Sequence, residues 1–186
     1  MFRSLARQGT SALIGAKVVL VGSIAMMSAA SAQGEPATPS LKRFETLYAP
    51  ADLRQASLTW PVAGPYRISS NYGQRRHPIS GSTRFHRGVD IAVPLGTPIL
   101  SVAAGEVVFA GWKKGYGWVI DIAHGQGWQS RYAHADSIGV QKGQHIVAGQ
   151  VIGQVGRSGQ ATGAHLHLEI ARQGKSMDPL ALWRKL

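Results

Sequence analysis

The amino-acid sequence predicts a mainly β protein, a small antiparallel sheet curled into an open barrel or sandwich, with few short helices. Three observations predict it. From residue 60 onward glycine becomes frequent, short runs rich in β-branched residues recur at close intervals, and turn formers separate these runs. The chain contains no cysteine, so the predicted fold needs no disulfide and offers no thiolate as a nucleophile or metal ligand.

The predicted strands follow one another closely. They cover residues 89–93, 98–102, 105–112, 117–124, 128–134, 147–155 and 165–171. Turns such as Pro94-Leu95-Gly96, Gly125-Gln126-Gly127 and Lys142-Gly143 lie between them. In this region only residues 179–185 are predicted to be helical. The histidines and acidic residues of this region therefore fall on strands and strand ends.

The first 32 residues differ from the rest of the chain. They have three basic residues and no acidic one, then an apolar run over 18–30 that ends in Ala30-Ser31-Ala32. This pattern predicts a signal peptide, 1–32, cleaved after Ala32, and hence export to the periplasm or cell envelope. The alternative is an uncleaved membrane anchor, which the short run disfavours because a bilayer requires about 20 apolar residues.

The remaining chain is predicted to contain one domain. Residues 33–59 begin rich in Pro, Ala and Ser and are interpreted as a linker with a weak helix near 41–48. Residues 60–186 are predicted to form the single folded domain. Their number suits a single well-buried core.

The charge balance is strongly basic. The formal net charge is +11, from 20 Lys and Arg against 9 Asp and Glu. The signal segment contributes three of the cations, so the chain without it carries a net charge of about +8. Such a charge suits nucleic acid in the cytosol and an anionic cell envelope outside it. Because the chain is predicted to be exported, we expect an anionic envelope and not nucleic acid as its partner. Because the basic residues are scattered, we expect most of them to form a solvated basic surface.

Two histidines alternate with leucine in His165-Leu166-His167-Leu168. Successive side chains of a strand point to opposite faces, so both imidazoles and Glu169 are predicted to project from one face. One imidazole can bind a metal while the other lies within reach of what the metal holds. The alternative is a surface strand that carries histidines by chance.

A second segment supports the metal interpretation. In His86-Arg87-Gly88-Val89-Asp90 the glycine and the β-branched run after it disfavour a helix, so we expect Asp90 on a strand and His86 on the loop before it. His86, Asp90 and His167 would supply two imidazole nitrogens and one carboxylate oxygen. Three protein ligands with an open fourth position are typical of a catalytic zinc site.

A third segment supplies another imidazole. His134 ends Ser130-Arg131-Tyr132-Ala133-His134, a predicted strand after a tight glycine turn. If this strand lies next to the one that carries His165, the two histidines flank the open coordination position. One could then accept a proton from water, and the other could stabilise an oxyanion or protonate a leaving amine.

The three segments 86–90, 132–134 and 165–167 resemble, in order and approximate spacing, the motifs of lysostaphin-type zinc endopeptidases, the LytM-like enzymes of bacterial cell walls. Residues 68–78 also resemble the stretch that precedes the first motif in that family. The similarity spans roughly residues 60–179, and the ordered set is specific although each motif alone is weak.

The resemblance implies a role for each residue. His86, Asp90 and His167 would bind Zn2+, and His134 and His165 would be catalytic, beside the bound water and the scissile carbonyl. It also implies a small, mostly antiparallel β fold with an open central groove, and peptidoglycan as the partner.

The resemblance further implies a zinc-dependent endopeptidase that hydrolyses peptide cross-links of peptidoglycan. Since no wall-binding repeat is found, cleavage of D-alanyl–diaminopimelate links by a D,D-endopeptidase is favoured over cleavage of glycine bridges. Family members that have lost ligands act as activators of amidases, so a non-catalytic regulator is the alternative. All five functional positions are present here, which favours the enzyme.

Similar sets of residues occur in proteins with other functions. Two histidines and a carboxylate are also the ligands of non-haem iron oxygenases. A lipoyl or biotinyl carrier would need an exposed, modifiable lysine in a hairpin turn, and the residues that flank Lys142 do not resemble the carrier motif. Tyr72 is interpreted either as an oxyanion donor or as a packed aromatic. Surface or structural roles are predicted for His77, His124 and His145. Trp112, Trp118 and Trp128 are expected to pack in the core or at the end of the barrel, with lining of a groove for peptide or sugar as the alternative.

Overall fold

The structure is a computed structural model that describes residues 53–54, 58–76 and 83–184. These residues belong to one compact unit, Thr38–Leu186. The expected signal peptide, 1–32, most of the expected linker, 33–59, and His77 lie outside the described residues. The division of the chain into these segments therefore stays a prediction.

Short strands dominate the described residues. They are β1 (Arg67–Ser70), β2 (Gly73–Arg76), β3 (Thr83–His86), β4 (Val89–Ala92), β5 (Pro98–Leu100), β6 (Gly105–Lys113), β7 (Gly117–Ala123), β8 (Trp128–Ile138), β9 (His145–Ile146), β10 (Val151–Val155), β11 (Leu166–Arg172) and β12 (Lys175–Met177), followed by the single-turn helix α1 (Leu180–Trp183). The predicted mainly β class with few helices is confirmed.

The strands form one large sheet and one small one. The strand order in the large sheet is β1-β4-β11-β8-β7-β6-β9. In addition, β10 pairs with β8 and β5, and β12 pairs with β11. β2 and β3 form a separate two-stranded sheet. All these pairs are antiparallel, and the large sheet is not closed into a barrel. The open architecture expected from the strand pattern is therefore present.

The seven predicted strands are all present, with shifted ends. The largest changes are in β10, which begins at Val151 and not at Val147, and in β8, which ends at Ile138 and not at His134. Five strands were not predicted, namely β1, β2, β3, β9 and β12, and each has four residues or fewer. Such short segments carry little periodic signal, and their pairing partners decide that they become strands.

The core lies on the face of the sheet opposite the side chains of the predicted ligands Asp90 and His167. Leu166, Leu168 and Ile170 of β11 are fully buried in it, as are Trp128 and Tyr132 of β8. Burying a side chain of this size stabilises a fold by roughly 1.5–3 kcal/mol. The alternation predicted for β11 is therefore confirmed, because its leucines pack inward.

Residues before the predicted domain boundary also reach this core. Leu53 is completely buried in it, and the backbone N–H of Thr59 donates a 2.9 Å hydrogen bond to the carbonyl of Val102.

Among the described residues no helix is long and apolar enough to cross a membrane.

Candidate metal centre and active site

β11 brings the candidate site together. His167 pairs with Asp90 of β4 on one side and with Ala133 of β8 on the other. Directly opposed residues in an antiparallel sheet point to the same face, so Asp90 and His167 share one face. His165 immediately precedes β11 and, by the same two-residue period, reaches this face as well.

His86 enters the site from a strand and not from a loop. The expectation of a loop was wrong, because His86 is the last residue of β3 and pairs with Gly73 of β2. Its Nδ1–H donates a 2.8 Å hydrogen bond to the carbonyl of Asn71, just before β2. The small β2–β3 sheet, built from polar residues without a clear strand pattern, therefore holds this imidazole.

Gly88 allows the segment between His86 and Asp90 to lie against β11. A Cβ atom on Gly88 would collide with the backbone carbonyl of Leu168 and meet the side chain of Glu169. Gly88 is buried and its φ is not in the left-handed region. The glycine is required for close approach and not for an unusual backbone conformation.

The three predicted ligands converge. His86 Nε2 lies 3.0 Å from His167 Nδ1 and 3.1 Å from Asp90 Oδ1, while His167 Nδ1 lies 2.8 Å from Asp90 Oδ1. All three residues are buried, between 5% and 7% exposed. Together they form a group that could hold a metal ion.

The hydrogen bonds around the group suit a cation between the three atoms. His86 uses Nδ1–H on Asn71, and His167 Nε2 lies 3.1 Å from the carboxylate of Glu169. When both imidazoles are neutral, their remaining nitrogens carry lone pairs directed at each other and at Asp90. Three electron-rich atoms this close are stable only with a cation or a proton between them. Two imidazoles and a carboxylate are ligands that zinc accepts.

The electrostatics of the buried group are strongly coupled. Burial by itself would raise the pKa of Asp90, but hydrogen bonds and charge interactions with His167 and His86 hold it far below its usual value. Burial would lower the pKa of His167, and the carboxylates of Asp90 and Glu169 outweigh it and raise that pKa. A metal ion that binds at Nδ1 of His167 would therefore compete with a proton for this atom.

The two predicted catalytic histidines lie together beside this group. The ring centroids of His134 and His165 are 4.7 Å apart, and His165 Nε2 is 3.8 Å from Asp90 Oδ1. The Nδ1–H of His134 donates to the carbonyl of Ser158 at 2.7 Å, and the Nδ1–H of His165 donates to the carbonyl of Gly163 at 2.9 Å. Both bonds leave Nε2 available on the imidazole.

The pKa of His134 is lowered to about 4, chiefly by burial, with the Ser158 carbonyl opposing the shift and the neighbouring His165 and His167 adding to it. Its imidazole is therefore neutral at neutral pH and can accept a proton. His165 is more accessible, with its side chain 14% exposed.

Comparison with known proteins identifies the family. The model of Peptidase family M23 matches residues 84–179, more than half of the chain, and this range includes all five residues of the cluster. The chain belongs to Peptidase family M23.

Curated relatives of this M23 chain include peptidoglycan enzymes. It is 41% identical over 116 residues to the DD-carboxypeptidase/endopeptidase Mpg of Neisseria meningitidis, covering 62% of this chain and 27% of Mpg. It is 38% identical over 129 residues to the peptidoglycan DD-endopeptidase ShyA of Vibrio cholerae, covering 69% of this chain and 30% of ShyA. Over 120 residues it is also 38% identical to the murein hydrolase activator EnvC of Escherichia coli, covering 64% of this chain and 27% of EnvC. The chain thus spans less than a third of the length of these relatives.

Solved structures share the fold of the M23 region. A zinc-containing peptidase from Vibrio cholerae aligns with a TM-score of 0.59 at 36% identity, covering 64% of this chain and 37% of that one. The catalytic domain of lysostaphin from Staphylococcus simulans aligns with a TM-score of 0.58 at 30% identity, covering 64% of this chain and 92% of the lysostaphin domain.

The M23 site opens into a cavity of about 400 Å³. Both histidines of the pair and all three candidate ligands line it, together with residues of the surrounding strands and loops such as Ser69, Phe85, Tyr116, Gln160 and Thr162. The open groove implied by the family resemblance is therefore present. Its wall on one side is β1, which lies at the edge of the sheet.

Sequence reasoning missed the residues around Glu169. This carboxylate accepts hydrogen bonds from the Tyr116 hydroxyl at 2.8 Å and from Arg131 at 3.3 Å. Burial would raise the pKa of Glu169, but His167, Tyr116 and Arg131 outweigh it and lower that pKa, so Glu169 is ionised. The alternation of β11 placed Glu169 on the face of the histidines, and this was the available signal.

Several other predicted roles are settled by packing. The Tyr72 hydroxyl donates to the carbonyl of Ser176 at 3.0 Å and its ring packs edge-on against Phe85, which matches the packed-aromatic interpretation. His124 is completely buried, and its Nδ1–H donates to the carbonyl of Ala104, so its role is structural. Trp128 is buried, whereas Trp112 and Trp118 are exposed and pack edge to face against each other.

Proposed function

We propose that this chain is a zinc-dependent endopeptidase that hydrolyses peptide cross-links of peptidoglycan in the periplasm. The observation that carries the proposal is the convergence of four imidazoles and one carboxylate on one face of β11, at the floor of an open groove. In this proposal His86, Asp90 and His167 hold the metal, and His134 and His165 act on the substrate.

The chemistry follows from the free nitrogens of the site. When bound, zinc would polarise the scissile carbonyl and make water more acidic at neutral pH. The carbonyls of Ser158 and Gly163 hold the Nδ1–H groups of His134 and His165, so Nε2 of each ring can exchange protons in the groove. One imidazole accepts the proton of the attacking water at Nε2, and the other, when its ring is protonated, donates its Nε2 proton to the leaving amine. The sum is hydrolysis of an amide to a carboxylic acid and an amine.

The groove also suits the shape of the substrate. A peptide stem in an extended conformation can lie beside β1, whose outer edge pairs with none of the described strands of the large sheet. The finer assignment, cleavage between D-alanine and diaminopimelate, rests on the similarity to Mpg and ShyA. The basic charge of the chain favours an anionic wall as the surface on which it works.

The test is a digestion of purified sacculi by the full chain, followed by mass spectrometry of the released fragments. We expect cross-linked dimers to be converted to monomeric stems, loss of activity with a chelator, and recovery with added zinc. Stoichiometric iron in the purified protein, or unchanged activity after His167→Ala, would contradict the proposal.

A second candidate function is activation of a cell-wall amidase, which the similarity to the activator EnvC supports. An activator would release no fragments by itself, with or without zinc, and would raise the activity of an added amidase. The complete set of five residues favours the peptidase, since an activator has no need of two imidazoles with available Nε2 atoms beside a ligand group.

A further inference from the structure

Glu169 lies two residues after His167 on the same face of β11 and touches the side of this imidazole that is remote from Asp90. Its Oε1 is 3.1 Å from His167 Nε2, whereas His167 Nδ1 is 2.8 Å from Asp90 Oδ1. The ring of His167 therefore stands between two carboxylates, one bonded to each nitrogen. Its side chain is only 7% exposed, so water offers little alternative partner.

The position of one proton decides what His167 can do. A neutral imidazole carries a single N–H. When this proton is on Nε2 and is donated to Glu169, Nδ1 keeps its lone pair toward Asp90 and His86. When the proton is on Nδ1 and is donated to Asp90, it uses the lone pair of Nδ1 and one lone pair of the Asp90 carboxylate. These are the two atoms that would bind a metal. The two carboxylates thus compete for the proton, and only one outcome leaves a metal site.

Glu169 is held in place for this bond by two further donors. The Tyr116 hydroxyl donates to Oε1 at 2.8 Å, and Arg131 donates to Oε2 at 3.3 Å. Arg131 is itself held by Asp121 through bonds of 2.8 and 3.0 Å, and the Lys113 ammonium lies 2.6 Å from the same carboxylate. This chain of charged side chains runs over neighbouring strands β6, β7, β8 and β11, so the carboxylate cannot easily turn away.

We propose that Glu169 is a positioning residue that selects the Nε2–H tautomer of His167, with Tyr116 and Arg131 holding its carboxylate. The inference rests on the metal site of the proposed function. Outer partners of this kind orient metal-binding histidines in general, and losing one typically costs 10- to 100-fold in metal affinity.

The first measurement is the tautomer itself. Long-range 1H–15N correlation spectra of the metal-free full chain, at a pH above neutral, show which ring nitrogen of His167 carries the proton, with His167→Ala identifying its signals. We expect Nε2–H in the wild type and a shift toward Nδ1–H in Glu169→Ala. An Nδ1–H wild type, or the same tautomer in both proteins, would overturn the proposal.

The second measurement is zinc affinity, by competition with a chromophoric chelator. We expect Glu169→Ala to bind zinc on the order of 10- to 100-fold more weakly, and Glu169→Gln to lose less because its amide oxygen can still accept the Nε2–H. Glu106→Ala is the matched control, since Glu106 lies on β6 and does not line the cavity. Affinity in Glu169→Ala equal to that of the control would contradict the proposal.

The two measurements separate this proposal from the proposed function. If the chain does not cleave sacculi, the tautomer spectra still decide the role of Glu169. If cleavage and zinc binding are normal in Glu169→Ala and its tautomer is unchanged, only the positioning role fails. Tyr116→Phe, which removes one donor and keeps the ring, is a milder variant and should shift both readouts in the same direction should Glu169→Ala not fold.

Discussion

The Nδ1–H of His134 donates a 2.7 Å hydrogen bond to the carbonyl of Ser158. This bond holds the imidazole of His134 in the groove, although the position of His134 in β8 would direct it toward the core. In a regular strand His134 would point the same way as Tyr132, which is buried in the core. His134 instead has φ of 61°, in the left-handed region that residues other than glycine rarely adopt. The local backbone departs from the strand pattern at the point where an imidazole is needed.

We expect His134→Ala and His165→Ala to separate catalysis from metal binding. Each should lower hydrolysis of sacculi on the order of 10²- to 10⁴-fold, the usual contribution of general acid–base catalysis, and leave zinc content unchanged. His167→Ala should lose both. Activity assays paired with metal analysis of each purified variant measure this, and a zinc-free His134→Ala would assign His134 to the ligands instead.

Zinc should stabilise the fold through the three ligands. At a free zinc concentration about 100 times the dissociation constant, binding to the folded state alone contributes about 2.7 kcal/mol. For a domain of this size that corresponds to a rise of roughly 5–10 °C in Tm. Thermal unfolding with chelator and with zinc measures the rise, which should vanish in His167→Ala and persist in His134→Ala. An equal rise in all three proteins would place zinc elsewhere.

Gly88→Ala should damage the metal site by displacing β11. The added methyl group would collide with the carbonyl of Leu168, so the segment carrying His86 and Asp90 must move away. A displacement of about 1 Å at a catalytic site costs on the order of 10² in activity. Gly139→Ala is the control, because its Cβ would make ordinary contacts, the nearest at 3.5 Å. Assays of sacculus hydrolysis and zinc affinity should show a loss only in the first variant, and equal behaviour would contradict the role of close approach.

Gly117→Ala should disturb the loop that holds His134. Gly117 has φ of 72° and packs against Ser158, so a Cβ there meets both backbone strain and a collision. Gly143 has φ of 87° but open space around the Cβ position, so Gly143→Ala isolates the strain, about 1–2 kcal/mol. Urea denaturation should show a larger loss for Gly117→Ala, and only this variant should lose activity. Equal losses of stability would show that Ser158 moves aside freely.

The buried His124 should make stability depend on pH. Burial lowers its pKa from 6.5 to about 4, with the bond to Ala104 opposing the shift. As the pH falls, His124 therefore becomes protonated in the unfolded chain before it does so in the folded chain. This contribution to stability is complete above pH 6.5 and declines as the pH falls toward about 4.

The shift corresponds to at most about 3 kcal/mol, at 1.36 kcal/mol for each pKa unit. We expect urea denaturation of the metal-free chain to show a steeper acid decline in the wild type than in His124→Gln. Parallel declines in the two proteins would contradict a neutral buried His124. Working without metal removes the separate effect of acid on the zinc ligands.

The strand pattern and the three motifs are properties of local sequence. β-branched runs and glycine turns predicted seven strands, and the two-residue period of β11 put His165, His167 and Glu169 on the face opposite the core leucines. These predictions succeeded because alternation and turn chemistry act between neighbours in the chain. The ends of strands and the short polar strands β1, β2 and β3 were not predictable in this way, since only their partners define them.

By itself, the sequence determined the fold class and picked out five candidate residues, because alternation acts between neighbours in the chain and residue type states which atoms can bind a metal or exchange a proton. The roles of the five residues come from the family resemblance and stay predictions. Tertiary structure alone decided how those atoms are aimed. His86 comes from the end of β3, His134 leaves the core face through a left-handed backbone, and Glu169 is tied to Tyr116 and Arg131. Each of these depends on a carbonyl, carboxylate or hydroxyl far away in the chain, and such partners come within hydrogen-bond distance only when the sheet is assembled.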